Sequence, residues 1–270
     1  MSSKSRIARS LGISRQSIYY TPRQANKDAT MREQILTTLD SHPAYGHRRL
    51  ALHLKRNRKA ILRIMHKYGI RPKVGRRRFI VTKPNEISME RVPDRVSGLK
   101  QNRPDLVWAG DFTYLWFHGR HVYLATVIDT CTRQILAWQI GMHHTSGLVV
   151  DVLQEALARR GKAPKLFHSD QGSEYASQSC VQWLVKHGVT PSWSPKGKPW
   201  VNGRQESFFS SFKLEFGKQH RFATVEDLIE GIGKHIHYYN TARIHSALKM
   251  PPQIFYETEA WRKRKSRKKS

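Results

Sequence analysis

Leu106-Val107-Trp108-Ala109-Gly110-Asp111-Phe112-Thr113-Tyr114-Leu115 is an apolar run broken by one carboxylate. It reads as a buried strand. An unpaired charge is costly in such a strand, so Asp111 calls for a cation partner.

Working outward, strand-like runs at 107–117, 122–129 and 134–140 form a meander, with turns at Gly119 and at Cys131-Thr132. A helix at 147–160 carries Val149, Val152, Leu153, Ala156 and Leu157 on one face. A strand at 165–169, a helix at 177–187 and a short strand at 190–193 follow. Residues 194–201 read as a mobile loop before an amphipathic helix opened by Asn202. Three antiparallel strands, then helix, strand, helix, strand, helix, is the order of an α/β ribonuclease-H-like fold, a mixed sheet flanked by helices.

Two more carboxylates occupy telling places. Asp170 ends the strand Leu166-Phe167-His168-Ser169, just before the turn Gln171-Gly172-Ser173. Glu206 lies in the first turn of the helix after Asn202, with 35 residues between it and Asp170. Spacing alone is weak, since 9 Asp and 11 Glu in 270 residues give about 0.4 such pairs by accident. Strand end, strand end and helix start can converge, however, and three oxygen donors suit Mg²⁺.

The words around the carboxylates carry a resemblance. Ala109-Gly110-Asp111-Phe112-Thr113-Tyr114, His168-Ser169-Asp170-Gln171-Gly172-Ser173-Glu174-Tyr175 and Asn202-Gly203-Arg204-Gln205-Glu206-Ser207-Phe208-Phe209 resemble three blocks of the IS3-family insertion-sequence transposases, bacterial relatives of retroviral integrases. Flanking words agree: Tyr45-Gly46-His47-Arg48-Arg49-Leu50 before, then Tyr239-Asn240, Arg243, His245-Ser246-Ala247-Leu248 and Pro251-Pro252 after. Val201 and Gly203 depart from the family's Asp-Asn-Ala, and Glu174 replaces a common Gln.

The resemblance implies the same fold and a DDE triad of Asp111, Asp170 and Glu206, ligands of two Mg²⁺ ions, with Mn²⁺ an expected substitute. It gives Asp111 the bridging position, Asp170 one metal and Glu206 the other. It implies strand cleavage and strand transfer at insertion-sequence ends, often through a circular intermediate, by a homo-oligomer assembled on double-stranded DNA. It further implies an upstream-frame end-binding protein as a partner, fused by frameshifting or separate, and a bacterial cytoplasmic setting at the nucleoid.

Charge points to the same ligand class. The net charge is +28. Residues 1–103 hold 25 Lys/Arg against 6 Asp/Glu, residues 104–260 hold 16 against 14, and the last ten hold 7 basic residues and no acid. A basic amino-terminal region, a balanced core and a basic tail fit a nucleic acid. A membrane-surface protein would need a basic face beside a long apolar face, which no segment has. No apolar h-region or ~18-residue apolar run is present, so no membrane span is expected. Cys131 and Cys180 form no Cys-x-x-Cys pair, so packed thiols are expected rather than disulfides or a zinc site.

These observations divide the chain into a helix-turn-helix-like segment (1–25), a basic helical DNA-binding domain (28–83), a linker (84–103), the catalytic core (104–260) and a basic tail (261–270). Residues 5–20 read as two short helices about Gly12, or as a generic helical hairpin. A helix from Thr30 ends at His42-Pro43, and helices at 48–54 and 58–68 follow. Arg48, Arg49, Arg58, Lys59, Arg63 and Lys67 crowd these helices, and Arg76, Arg77 and Arg78 follow as an arm. With few acids nearby, phosphate contact is favoured over a merely solvated face.

Around the triad, Asn202-x-x-Gln205 resembles a capping box that would fix the first helical turn. Ser210 and Lys213 share the stripe of Glu206, placing Lys213 beside a phosphate or, on the bland reading, in solvent. Lys196 and Lys198 in the preceding loop are further candidates for DNA contact. Phe208, Phe209 and Phe212 are expected in the core and Asp129 as a turn former. His168 reads either as a packed histidine or as a group that orients a ligand or DNA. Trp193 and Trp200 flank the loop either as core (Trp193 the better candidate) or as a surface for a displaced base. Two rivals share these features: a nuclease of the same fold that hydrolyses without joining, and a DNA-binding regulator whose core is inactive.

Overall fold

The computed structural model describes residues 3–19, 23–73, 92–195 and 203–258. The chain forms two compact units, residues 1–72 and 73–270.

The second unit is built on the apolar run. β1 (Val107–Phe117) turns back into β2 (Arg120–Asp129) through His118 and Gly119, whose φ values of 42° and 82° are both positive. Two left-handed residues give a tight turn whose twist matches the strands, and glycine takes that conformation without steric cost. β3 (Ile135–Gly141) pairs antiparallel with β2. β4 (Leu166–Ser169) runs parallel to β1, and β5 (Thr190–Trp193) parallel to β4. The sheet order is β3-β2-β1-β4-β5. Helices α5 (Ser146–Arg160) and α6 (Gln178–Lys186) precede and follow β4, as parallel strands require a crossover. This is the mixed, helix-flanked ribonuclease-H-like sheet that the sequence predicts.

Strand alternation splits the core into two layers. Trp108, Val127 and Phe167 pack with Val152 and Leu153 of α5 and Leu184 of α6. On the opposite face, Leu115, Phe117 and Leu124 meet Phe208, Phe212 and Phe216 of α7 (Gly203–Phe216) and Ile232 of α8 (Val225–Thr241). Each such phenylalanine contributes roughly 1.5–3 kcal/mol by burial. Thr224 and Asp227 close a capping box at the start of α8.

Polar side chains complete the frame. Asp129 accepts from the backbone N–H groups of Asp105, Cys131 and Thr132 at 2.6, 2.9 and 2.7 Å; it is the expected turn former. Asn240 pairs with both backbone groups of Ile135 at 2.9 Å, acting as a substitute strand at the edge of β3. Arg243 holds Glu215 of α7 at 2.8 Å. Arg160 stacks on Tyr256 of α9 (Pro252–Glu257), 3.8 Å from its centroid. Cys131 and Cys180 are buried free thiols, and burial pushes Cys180 up to about 12.

The described end of the expected linker is no free tether. Val96 is buried, and Arg95 donates from its backbone to Ser192 Oγ at 2.9 Å and from its guanidinium to Pro191 O at 3.0 Å, fastening it to β5.

In the first unit, α1 (Ser3–Ser10) precedes a turn at Gly12. The expected second helix is only a 3₁₀ segment, Arg15–Tyr19, with no buried residue. Five residues with Ile13 and Tyr19 exposed bury too little to nucleate an α-helix. α2 (Arg23–Ser41) starts earlier than the apolar pattern indicates, and α3 (His47–His53) and α4 (Arg58–Lys67) follow. Asn57 caps α4 by accepting from the Lys59 N–H at 2.8 Å. Among the described residues no helix is long and apolar enough to cross a membrane.

Candidate active site

The register of β1 against β4 places two carboxylates side by side. Their parallel pairing runs from Val107↔Leu166 to Ala109↔His168 and then stops. Asp111 and Asp170 each lie two residues past that last rung, where the strands part. Such carboxyl-terminal mouths between parallel strands are where open α/β sheets bind ligands.

Gly110 makes the approach possible. A Cβ there would sit 2.5 Å from Cζ of Phe167 and 3.2 Å from Cε1 of Tyr175. The tip of the Phe167 ring therefore closes on the backbone beside Asp111, and a side chain at position 110 would have to displace that ring or the strand. Asp111 is half-buried and accepts the Phe112 N–H at 2.8 Å. Burial, then the Asp170 charge, then that of Glu206, pushes its pKa up to about 8, against the opposing pull of the Phe112 N–H and Lys213. Asp170 accepts the Gly172 N–H at 3.0 Å. It reaches solvent, yet the protein crowding its carboxylate, and then Glu174, raise its pKa.

Glu206 is exposed on the first turn of α7, and its pKa is raised by partial burial. Its neighbour Gln205 is wholly buried. Gln205 Nε2 donates to Ala109 O at 2.6 Å and to Thr126 O at 3.0 Å, while Thr126 Oγ1 donates to Gln205 Oε1 at 3.1 Å. Thr126 is the β2 partner of Asp111. Gln205 thus fastens the start of α7 to the rung that carries Asp111. The sequence reading gave this glutamine a capping role toward Asn202, which lies outside the described residues. The missed signal is positional: Gln205 shares the i, i+3, i+4, i+7 stripe of Phe208, Phe209 and Phe212, and all four are buried.

Lys213, two turns along, lies 4.7 Å from the centroid of Tyr114. Burial lowers its pKa and the Asp111 charge partly restores it. Asp111 at the β1/β4 mouth therefore feels the charges of Asp170, Glu206 and Lys213. As the side chains stand, no three His, Cys, Asp or Glu among the described residues are gathered tightly enough to hold a metal ion.

Other candidates have structural partners. His168 is buried with its ring nitrogens 3.1 and 2.9 Å from the hydroxyls of Ser192 and Ser194. Glu174 is hydrogen-bonded to His144. Trp193 is buried, whereas Trp200 lies outside the described residues. In the first unit Arg48, Arg58 and Lys59 are exposed. Arg49 is turned inward, donating to Ala44 O at 2.6 Å and lying over Tyr45. Arg63 and Lys67 converge on buried Asp28 at 2.5 and 2.8 Å, which holds that carboxyl far below its ordinary range. Asp28 is 35 positions from Arg63, too distant in sequence to be foreseen as its partner. Arg76, Arg77, Arg78, Lys196 and Lys198 lie outside the described residues.

Comparison with known proteins shows the family. Two integrase core domain families match residues 101–199 and 187–252. The chain is 33% identical to the transposase for insertion sequence element IS904 of Lactococcus lactis subsp. lactis (strain IL1403), over 71% of this chain and 77% of that one. It is 32% identical to the transposase for insertion sequence IS3A of Escherichia coli (strain K12), over 70% and 67%. Over 94% of its length it is 26% identical to the IS150 protein InsK of the same strain, covering 93% of that chain. The chain belongs to the IS3-type insertion-sequence transposases, with an integrase core on a ribonuclease-H-like sheet.

Proposed function

We propose that the chain is a DDE transposase that cuts and joins the ends of an insertion sequence, with Asp111, Asp170 and Glu206 as the catalytic carboxylates. The observation that carries the reading is the parting of β1 and β4, which sets Asp111 beside Asp170 and lifts the Asp111 pKa to about 8. An acid held that high, by burial first and by a neighbouring acid second, is a site short of positive charge.

The donor set fits hard divalent cations, which favour carboxylate oxygen. Asp111, Asp170 and Glu206 would together hold the two Mg²⁺ ions, and Mn²⁺ would substitute. When bound, such a pair activates the attacking oxygen and stabilises the leaving one. The chain's own residues do the rest. Gln205 holds the first turn of α7 against the rung of Asp111, which keeps Glu206 within electrostatic reach of that carboxylate. Lys213 holds an ammonium within electrostatic reach of Asp111, where it neutralises the phosphate at the reacting DNA end. The Phe112 and Gly172 N–H groups donate to one oxygen of Asp111 and one of Asp170 and so orient both carboxylates.

Arg48, Arg58 and Lys59, with the basic segments 76–78, 196–198 and 261–270, would supply sequence-independent phosphate contacts. Action on two DNA ends calls for a homo-oligomer on DNA, and an upstream-frame protein, fused or separate, would recognise the ends. The test is an assay with labelled 3′-OH ends. Joined product that needs Mg²⁺ or Mn²⁺ and the three carboxylates supports the reading. Hydrolysis without joining would reassign the chain to a nuclease.

A further inference from the structure

Tyr114 and Trp116 are large aromatics in the middle of a strand, yet they are 51% and 57% exposed. They alternate along β1 on the face that farther down carries Trp108 and Phe112 against α5 and α6. Across the hairpin, Trp116 is paired with His121 and Tyr114 with Tyr123. The His121 ring lies 4.9 Å from Trp116 and 5.1 Å from Tyr114, and Lys213 sits over Tyr114.

We propose that Tyr114, Trp116 and His121 form a stacking platform for unpaired bases at the end of the DNA held in the carboxylate site. This rests on the DNA-joining reading above. Three observations favour an unpaired nucleotide over another occupant. The platform lies along the same strand as the site: at about 3.3 Å per strand residue, Tyr114 stands roughly 10 Å and Trp116 roughly 17 Å along β1 from Asp111, on the other face of the strand, and Lys213 of α7 reaches round to the Tyr114 ring. Charge matches, because residues 112–125 contain Arg120, His118 and His121 and no Asp or Glu. Lys213 is shared, touching the Tyr114 ring and feeling the Asp111 charge, so the phosphate it neutralises leads onto the rings. Aromatic faces beside cations bind single-stranded nucleic acid whatever its sequence, since every base offers a π-face.

A frayed terminus would gain from this surface and a paired one would not. The test measures binding of the full chain, without divalent metal, to two DNA ends of one sequence. One is fully paired. The other has its last three pairs mismatched and carries 2-aminopurine in the unpaired strand. Trp116→Ala is expected to weaken binding of the frayed end about tenfold, to abolish the change in 2-aminopurine fluorescence, and to leave the paired end within about twofold. Trp116→Phe should restore most of both signals, and the thermal midpoint of each variant reports on folding. Equal losses on paired and frayed ends would overturn the proposal. So would unchanged frayed-end binding accompanied by a fall in the mass of DNA-free protein, which would assign the rings to contact with a second copy. Parental binding to the paired end reports separately on whether the chain binds DNA at all.

Discussion

Replacing Gln205 with leucine keeps the side chain's size and burial and removes three hydrogen bonds. Ala109 O and Thr126 O lose a donor and Thr126 Oγ1 loses its acceptor, all in the buried rung beside Asp111. Each net bond contributes roughly 1 kcal/mol, and a buried group left without a partner costs roughly 1–3 kcal/mol, so the loss should be about 2–4 kcal/mol. For a unit of this size that lowers the thermal midpoint by about 5–15 °C. The phenylalanines of α7 still anchor the helix, so the damage concentrates in its first turn. A misplacement of Glu206 by about 1 Å would slow joining on the order of 100-fold. Gln205→Glu should be worse than leucine, because a carboxylate would face two carbonyl oxygens. Thermal unfolding and a joining assay at a temperature where both proteins are folded measure the two effects. If Gln205→Leu lost under 1 kcal/mol and joined at the parental rate, the strap would not position Glu206.

Other expectations follow from the same contacts. With Asp111 held at about 8, the folded chain binds that proton more tightly than the unfolded chain. The resulting stability is complete below the ordinary carboxylate range and is lost as pH rises through about 8. Without divalent metal, Asp111→Asn should therefore gain in thermal midpoint over the parent between pH 5 and 9, and a pH-independent gap would contradict the burial argument. Lys213→Ala should slow joining far more than it weakens DNA binding; equal small effects would return it to the solvated surface. Changing Arg48, Arg58 and Lys59 together to alanine should lower duplex affinity on all sequences and flatten the salt slope by roughly three contacts' worth. Arg63→Ala should act mainly on thermal stability, through Asp28, and a salt slope changed at unaltered stability would reverse that assignment. Gly110→Ala should disturb the site through the Phe167 ring, which a lower midpoint and slower joining would both register.

The core was legible because its signals are local. The strand of Asp111 is a continuous apolar run, its hairpin turns on Gly119, and α5 repeats its apolar residues at helical spacing. Asp111 and Asp170 stood out as charges at strand positions. What escaped was long-range or too short. Arg63 and Lys67 read as phosphate ligands because their partner Asp28 lies on another helix. Val96 was hidden in a polar, proline-punctuated stretch, although it docks the segment beside β5. The 3₁₀ segment Arg15–Tyr19 is too short for periodicity to separate it from an α-helix. Gln205 reads as a cap because a glutamine three residues after Asn202 satisfies that pattern, and only the sheet supplies the partners it has in the fold.

The most direct test of the three-carboxylate account is strand joining by Asp111→Asn, Asp170→Asn and Glu206→Gln, singly and in pairs, with DNA binding measured in the same buffer. Each swap keeps the shape and removes one charge from the site. Every single change should abolish joining while leaving affinity for DNA nearly intact, and a pair should be hardly worse than one, because ligands that act as a unit are not additive. A Glu206→Gln protein that still joined ends at more than about a few per cent of the parental rate would contradict the account.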